Sequence, residues 1–177
     1  MAVKQRLTPT LFDKLVADLE ISGLRDQASE NPETSREAMR YYSVPRIERF
    51  NESALRATIR RDLAWLLNTT NLGSVQDLEP YPHVQTSVIN YGVPDLAGKS
   101  LHRRTILHRA REIREAIRRF ETRIEPESLV VEPTGGGDAA NTIAFQIHGD
   151  IVSAANLMPV HFRTQLDAET ASVDVSE

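Results

Sequence analysis

The clearest pattern in the chain is a helical periodicity over residues 100–122. Apolar side chains recur there at alternating steps of four and three, which places them on one face of a helix. They are Ile106, Ala110, Ile113, Ile117 and Phe120, and the same face continues to Ile124. The pattern predicts one long amphipathic helix over residues 100–122.

A second helical pattern begins near Phe50. Asn51 or Ser53 can cap its first amides. Its apolar stripe is Leu55, Ile59, Leu63, Leu66 and Leu67. The pattern stops between residues 68 and 73, and Trp65 lies inside it, so we predict that Trp65 belongs to the core.

Proline and glycine interrupt residues 74–100, which predicts turns with a short helical piece at 86–90. Within this stretch, Asn90, Tyr91, Gly92 and Pro94 are interpreted as a turn that positions the long helix.

After Pro126 the apolar period changes from 3.6 to 2, which indicates strands. The strand residues are an apolar run at 129–131, then Ile143, Phe145 and Ile147, then Val160 and Phe162, and last Val173 and Val175. Gly135, Gly136, Gly137 and Asp138 supply a hairpin loop. Helices followed by a meander predict an α+β fold, in which two main helices pack on one face of a small antiparallel β-sheet.

The N-terminal part has a different composition. Residues 1–22 predict a short amphipathic helix capped by Thr10, and its apolar stripe is Leu11, Leu15, Val16 and Leu19. Residues 23–49 are polar and predict a flexible tether. We therefore predict an N-terminal extension over 1–49 and a folded domain over 50–177. The stripe can dock on a partner or pack on its own domain, and the sequence does not choose.

Composition narrows the function classes. The chain has 177 residues, a formal charge of -4 and no cysteine, which excludes disulfides, thiolate zinc sites and thiol catalysis. Neither a signal peptide nor a membrane-spanning segment is predicted. The acidic balance gives no global attraction to nucleic acid or anionic lipid. The absence of cysteine suits a reducing cytosol, and neither membrane insertion nor a cofactor is predicted.

Catalytic carboxylates are the first chemistry to consider. A glycosidase needs two carboxylates roughly 5 to 10 Å apart, one of which holds a proton. Asp62, Asp95 and Glu121 are the candidates. Because Arg123 lies two residues after Glu121, a structural ion pair is the favoured interpretation, and it would keep Glu121 ionised.

Histidines and glycines offer weaker sites. The histidines lie on different predicted elements without a helical pair, so no metal site is predicted. They are His83, His102, His108, His148 and His161. The three glycines at 135–137 lack the Lys-Ser/Thr and the following helix of a phosphate loop, which leaves a hairpin turn.

The long helix is strongly basic. Its arginines are Arg103, Arg104, Arg109, Arg111, Arg114, Arg118 and Arg119, against Glu112, Glu115 and Glu121. A solvated face with internal Glu-Arg pairs is the first interpretation, and an acidic protein partner is the second. Nucleic acid ranks third because no aromatic residues interleave with the arginines.

Several segments resemble one family at like spacing. They are Arg-Arg-Asp-Leu-Ala-Trp-Leu-Leu-Asn-Thr at 60–69, Tyr81-Pro82, Ser-Val-Ile-Asn-Tyr-Gly-Val-Pro-Asp-Leu at 87–96, residues 117–123 and Val-His-Phe-Arg-Thr-Gln-Leu-Asp at 160–167. This set resembles TssE, the lysozyme-like baseplate subunit of bacterial type VI secretion systems, related to wedge proteins of contractile phage tails. The family has Glu-Pro-Arg at the end of its long helix, whereas this chain has Glu121-Thr122-Arg123. Threonine in place of proline predicts a less rigid helix exit.

The resemblance implies a cytoplasmic, non-enzymatic adaptor in a baseplate docked at the inner membrane. Implied partners are TssF, TssG, TssK and the TssB–TssC sheath. Glu121 and Arg123, with Arg118 and Arg119, would contact the wedge. An edge strand containing Ala171, Val173 and Val175 would pair with sheath strands and help initiate sheath assembly. The alternatives are a peptidoglycan hydrolase and a nucleic-acid-binding module, and the sequence does not say which sheet edge is open.

Overall fold

The computed structural model describes residues 9–14, 50–95, 102–134, 142–152, 157–167 and 169–177. Internal contacts divide the chain into two units, Met1–Thr58 and Ile59–Glu177. In the described ranges no helix combines the length and apolar character that crossing a membrane requires.

The first unit contains a helical turn at residues 11–14. Thr10 caps it as predicted, since the Asp13 amide donates to Thr10 Oγ1 at 3.2 Å and the Thr10 amide donates to Asp13 Oδ2 at 3.0 Å. This reciprocal pair satisfies two amides at the start of the turn. Leu11 is 73% exposed. The rest of the predicted stripe, at 15, 16 and 19, and the predicted tether at 23–49 lie outside the described residues.

Helix α1 spans Glu52–Leu67. Asn51, and not Ser53, is its cap, because Asn51 Oδ1 accepts from the Ala54 amide at 2.9 Å. The predicted apolar stripe is confirmed, and all of its members are buried: Leu55, Ile59, Leu63, Leu66 and Leu67.

Turns and short helices connect α1 to the next long helix. The predicted helical piece at 86–90 is a 3-10 helix at Val88–Asn90, and another 3-10 turn lies at Leu72–Ser74. A four-residue helix, α2, at Pro82–Gln85 was not predicted. Pro82 is its first residue. An N–H at this position has no acceptor within the helix, so the N–H that proline lacks costs no hydrogen bond.

Helix α3 spans Arg103–Phe120, close to the predicted range. Ala110, Ile113 and Ile117 are buried as expected, and Ile106 and Phe120 are half-buried. The helix ends because Glu121 leaves the helical region, with φ -104° and ψ 80°.

Four antiparallel strands form one sheet in the order β1-β2-β3-β4. Their ranges are Val130–Thr134, Thr142–Val152, Leu157–Asp167 and Val173–Ser176. Helix α3 packs against β1. The predicted α+β fold with an antiparallel meander is confirmed. The glycine-rich connection at 135–138 lies outside the described residues, although Thr134 pairs with Ala144 on either side of it.

The sheet buries one face. Phe145 lies opposite Thr164, and Thr164 lies opposite Val175, so these three share a face. Alternate residues of β2, β3 and β4 lie on that face, and all of them are buried: Ile143, Phe145, Ile147, Gly149, Ile151, Met158, Val160, Phe162, Thr164, Leu166, Val173 and Val175. The period of two therefore marks the core, as the sequence indicated.

The predicted strand at 171–175 begins two residues later than expected. Ala171 lies in the turn before β4 with φ 57°, a left-handed conformation, and its amide donates to Asp167 O at 2.9 Å. Strand pairing is impossible for Ala171 in this turn, so the prediction that placed it in the strand is wrong.

The loop at 90–94 is tied to the end of α1. The Val93 amide donates to Thr69 O at 2.8 Å, and the Asn71 amide donates to Val93 O at 2.9 Å. Between them, Gly92 adopts φ +116°, and a Cβ at this position would lie 2.2 Å from Thr69 O. Only glycine fits here, both for its backbone angle and for the space.

We expect Gly92→Ala to lower the free energy of unfolding by at least about 2 kcal/mol, because the left-handed angle and the clash with backbone both oppose a side chain. Urea unfolding followed by circular dichroism measures this loss. Gly73→Ala is the matched control, since the nearest atom to its added Cβ would be 3.5 Å away. Equal losses in both variants would contradict the clash.

Asp167 gives the β3–β4 turn a pH dependence. Its Oδ1 accepts from the Glu169 amide at 2.8 Å and from the Thr170 amide at 3.2 Å, and these bonds, in that order, lower the pKa of Asp167. A lowered folded-state pKa adds stability that is complete above the unfolded value of about 3.9 and is lost as the pH falls through the folded value.

The difference in unfolding midpoint between the wild type and Asp167→Ala should therefore be constant near neutral pH and shrink as the pH falls below about 4. Urea unfolding at a series of pH values tests this. A difference that stays unchanged down to about pH 2 would show that the carboxylate charge does not matter to the turn.

Candidate functional site

Two pairs of charged residues meet beside the loop at 90–94. Arg61 and Asp62 are neighbours on α1, and Glu121 and Arg123 lie at the exit of α3. Arg61 Nε donates to Asp62 Oδ1 at 2.8 Å, and Arg123 Nε donates to Glu121 Oε1 at 2.7 Å. Arg123 Nη2 donates to both Asp62 Oδ2 and Glu121 Oε2, which joins the two pairs. We call these four residues the charge cluster.

The charge cluster is largely shielded from water and carries balanced charge. Side-chain exposure is 7% for Glu121, 20% for Arg123 and 23% for Asp62. Burial disfavours the charged guanidinium of Arg123, yet its hydrogen bonds and attraction to Glu121 and then to Asp62 outweigh that cost and raise its pKa. Arg123 is therefore a permanent cation that both carboxylates need.

Tyr91 lies against the charge cluster. Burial raises the pKa of its phenol, and the negative charges of Asp62 and Glu121 raise it further. Its ring meets Phe120 edge to face, with centroids 5.2 Å apart. The Asn-Tyr-Gly turn therefore contacts the end of α3, as predicted for a turn that positions this helix.

Asn90 has a structural place in the same turn. It is buried, its Oδ1 accepts from the Gly73 amide at 2.9 Å, and its Nδ2 donates to Gln85 O at 3.0 Å. These bonds close the segment between α1 and the turn.

The exit from α3 carries hydrogen bonds on both sides of Thr122. The Arg123 amide donates to Glu121 Oε1 at 3.1 Å, and Arg123 O accepts from the Val152 amide at 2.8 Å. Ile124 then forms a bridge with Ile151 of β2. The turn around Thr122 is thus held by the Glu121 side chain and by the end of β2.

Trp65 is half-buried, so its prediction as a core residue is wrong. The Arg61 guanidinium carbon lies 4.8 Å from the Trp65 ring centroid, in a cation-π contact. The Arg61 side chain, which is 14% exposed, covers one face of the indole ring, so an arginine takes the place that an apolar core residue was expected to have.

The structure brings two of the three candidate catalytic carboxylates together, but with a guanidinium between them. Asp62 and Glu121 both bind Arg123, so a guanidinium occupies the space between the two carboxylates that a glycosidic bond would need. Asp95 is exposed and belongs to neither pair. A groove of about 140 Å³ lies nearby but is lined by Glu112 and Glu115 instead. Ligand pockets are typically about 300 Å³ or larger.

Sequence reasoning missed one pairing of histidines. His148 and His161 face each other across β2 and β3, with ring centroids 4.7 Å apart. Both occupy positions on the face of the sheet opposite the core. A correct register for this hairpin would have revealed the pair. In the described ranges, no three His, Cys, Asp or Glu residues are grouped so as to hold a metal ion.

Several arginines of α3 have intramolecular partners. Arg109 is buried and pairs with Glu112 at 2.6 Å, and Arg118 pairs with Glu115 at 2.7 Å. Arg114 Nε donates to Leu129 O at 3.0 Å, and Arg119 Nη1 donates to Gln85 O at 2.7 Å. The predicted internal Glu-Arg pairs are present, and they reduce the positive charge available to a phosphate backbone.

The structure is that of a small α+β protein, and the four charges of the charge cluster neutralise each other. A model of the baseplate wedge protein gp25 family matches residues 53–156, more than half of the chain, and the chain belongs to this family. The match includes the charge cluster, the turn at 90–94 and the β1–β2 hairpin. No curated protein and no solved structure matches the chain.

We expect Arg123→Ala to lower the free energy of unfolding by roughly 2 to 4 kcal/mol, since it leaves Glu121 buried without its cation. Arg118→Ala is the matched control, because Arg118 and Glu115 are about half exposed (54% and 50%). Its loss should stay below about 1 kcal/mol. Urea unfolding measures both losses. Equal losses of unfolding free energy in the two variants would show that the charge cluster does not stabilise the fold.

Proposed function

We propose that this protein is a structural subunit of a type VI secretion system baseplate, where it joins the wedge to the contractile sheath and helps initiate sheath assembly. The observation that carries the proposal is the wedge-family match over 53–156. The type VI assignment rests on the resemblance to TssE. The described parts of three of the segments that carry it, at 60–69, 87–95 and 117–123, meet at or beside the charge cluster.

A non-enzymatic role is supported by the chemistry of the charge cluster. Acid catalysis requires a protonated carboxyl group beside the scissile bond. Glu121 instead uses both carboxylate oxygens on one guanidinium, and its side chain is 7% exposed. A substrate would have to displace Arg123 before reaching it.

The proposed wedge contact is the surface around the end of α3. Arg118 and Arg119 are exposed there, next to the charge cluster. Arg123 and Glu121 would hold this surface in shape and contribute the exposed part of the Arg123 guanidinium. The proposed partners at this surface are TssF, TssG and TssK, in a cytoplasmic baseplate docked at the inner membrane.

The proposed sheath contact is the edge of the sheet formed by β4. An antiparallel meander has two edges, and an edge strand can accept a strand from another chain. Of the two β4 residues expected to pair with the TssB–TssC sheath, Val173 and Val175, we propose Val175 for the pairing. Both outward backbone groups of Val173 are bonded to Asn68. Ala171 is left out of this pairing because it lies in the preceding turn. Neither nucleic acid nor direct membrane insertion is part of the proposal.

Co-purification tests the partners. Tagged protein is isolated from cells that co-express TssF, TssG, TssK, TssB and TssC, and the same preparation is incubated with peptidoglycan. We expect recovery of wedge and sheath subunits without digestion. Digestion that disappears in Glu121→Gln would replace the adaptor with a hydrolase, and recovery of nucleic acid alone would favour the basic-helix alternative.

A pair of double variants separates contact from stability. Arg118→Ala/Arg119→Ala removes charge from the proposed wedge surface, and Arg103→Ala/Arg104→Ala removes the same charge from the other end of α3. We expect at least about a tenfold loss of TssF and TssG recovery in the first variant only. Comparable losses in both would indicate general electrostatic attraction, with no specific surface at the helix end.

A further inference from the structure

The two edges of the sheet are obstructed in different ways. On β1, Pro133 has no N–H. The side of β1 that faces away from β2 therefore lacks a hydrogen-bond donor at this position. Leu129 O, next to the start of the strand, is taken by Arg114 Nε at 3.0 Å. Residues 129, 131 and 133 direct their backbone groups to the same side, because these directions alternate along a strand. The β1 edge therefore offers an incoming strand few bonding groups.

On β4 the obstruction comes from a single side chain. Asn68, the residue after α1, places its amide against Val173: the Val173 amide donates to Asn68 Oδ1 at 2.9 Å, and Asn68 Nδ2 donates to Val173 O at 2.8 Å. The second Nδ2 hydrogen goes to Ala64 O at 2.7 Å. Both Nδ2 hydrogens and Oδ1 are used, so the amide has one satisfied orientation.

The Asn68 side chain thus bonds Val173 as the backbone of a neighbouring strand would. The register explains why this is possible. Asp167 N donates to Ser172 O at 3.0 Å, so Ser172 faces β3 and Val173 faces away from it. By the same alternation Val175 also faces away. Its outward N–H and C=O have no hydrogen-bond partner among the described residues.

We propose that Asn68 determines where a partner strand can join this sheet: it closes the β4 edge at Val173 and leaves Val175 as the point of entry. The inference rests on the proposed pairing with the TssB–TssC sheath and adds the register of that pairing. A partner strand that moved toward Val173 would have to break the two hydrogen bonds between Asn68 and Val173. Pairing that extends from Val175 to Val173 is therefore disfavoured. The same closure shortens the edge available for unwanted self-pairing.

Amide hydrogen exchange of the full-length chain, measured by NMR, tests the closure. We expect the Val173 amide to exchange at least about tenfold more slowly than the Val175 amide, since one lost hydrogen bond is worth about that factor. In Asn68→Ala the Val173 amide should become as fast as that of Val175. Asn71→Ala is the matched control, because the Asn71 side chain bonds Ser74 at 2.9 Å, away from β4.

The complex with co-expressed TssB–TssC then tests the entry point. We expect the Val175 amide to slow at least about tenfold on binding while the Val173 amide keeps its rate. A fast Val173 amide in the free wild type would overturn the closure without any variant. A complex that leaves Val175 fast would overturn the entry point but keep the adaptor role. Failure to bind the sheath at all would overturn the sheath role itself and with it strand entry, while the rates in the free protein would still decide whether Asn68 closes the edge.

Discussion

One guanidinium holds together segments that are far apart in the sequence. Arg123 binds Glu121 beside it and Asp62, which lies 61 residues earlier on α1. Two carboxylates this shielded from water would repel each other without a shared cation. The exit of α3 and the middle of α1 are therefore fixed relative to each other, and Tyr91 and the loop at 90–94 pack beside them.

The molecule combines a closed interior with surfaces suited to assembly. One sheet face is buried, and the other carries polar residues such as His148 and His161 together with exposed apolar residues such as Val152 and Leu157. The edges are restricted by Pro133 on one side and by Asn68 on the other. A subunit that has to join other proteins without pairing with copies of itself needs such restrictions, because an open edge accepts strands without regard to sequence.

Periodicity predicted most of the fold because each pattern reports which side of an element is buried. Steps of three and four placed Ile113 and Ile117 in the core, and steps of two did the same for Phe145 and Phe162. Glu121 and Arg123 could be paired from the sequence because they are two residues apart. The second pairing of Arg123, with Asp62, could not be predicted, because no local pattern in the sequence relates α1 to the end of α3. The burial of Trp65 was predicted wrongly because the side chain that covers one face of its ring is that of Arg61.

The sequence by itself determined the two long helices, the order of the strands, the Thr10 cap and the turn at 90–94, because those depend on backbone preferences and on local periodicity. The tertiary structure alone decided which distant groups meet: Asp62 with Arg123, His148 with His161, and Asn68 with Val173. Such meetings follow from the register of the sheet and the packing of the helices. They form only when the elements that contribute these residues are folded together, because apolar burial elsewhere in those elements supplies most of the stability.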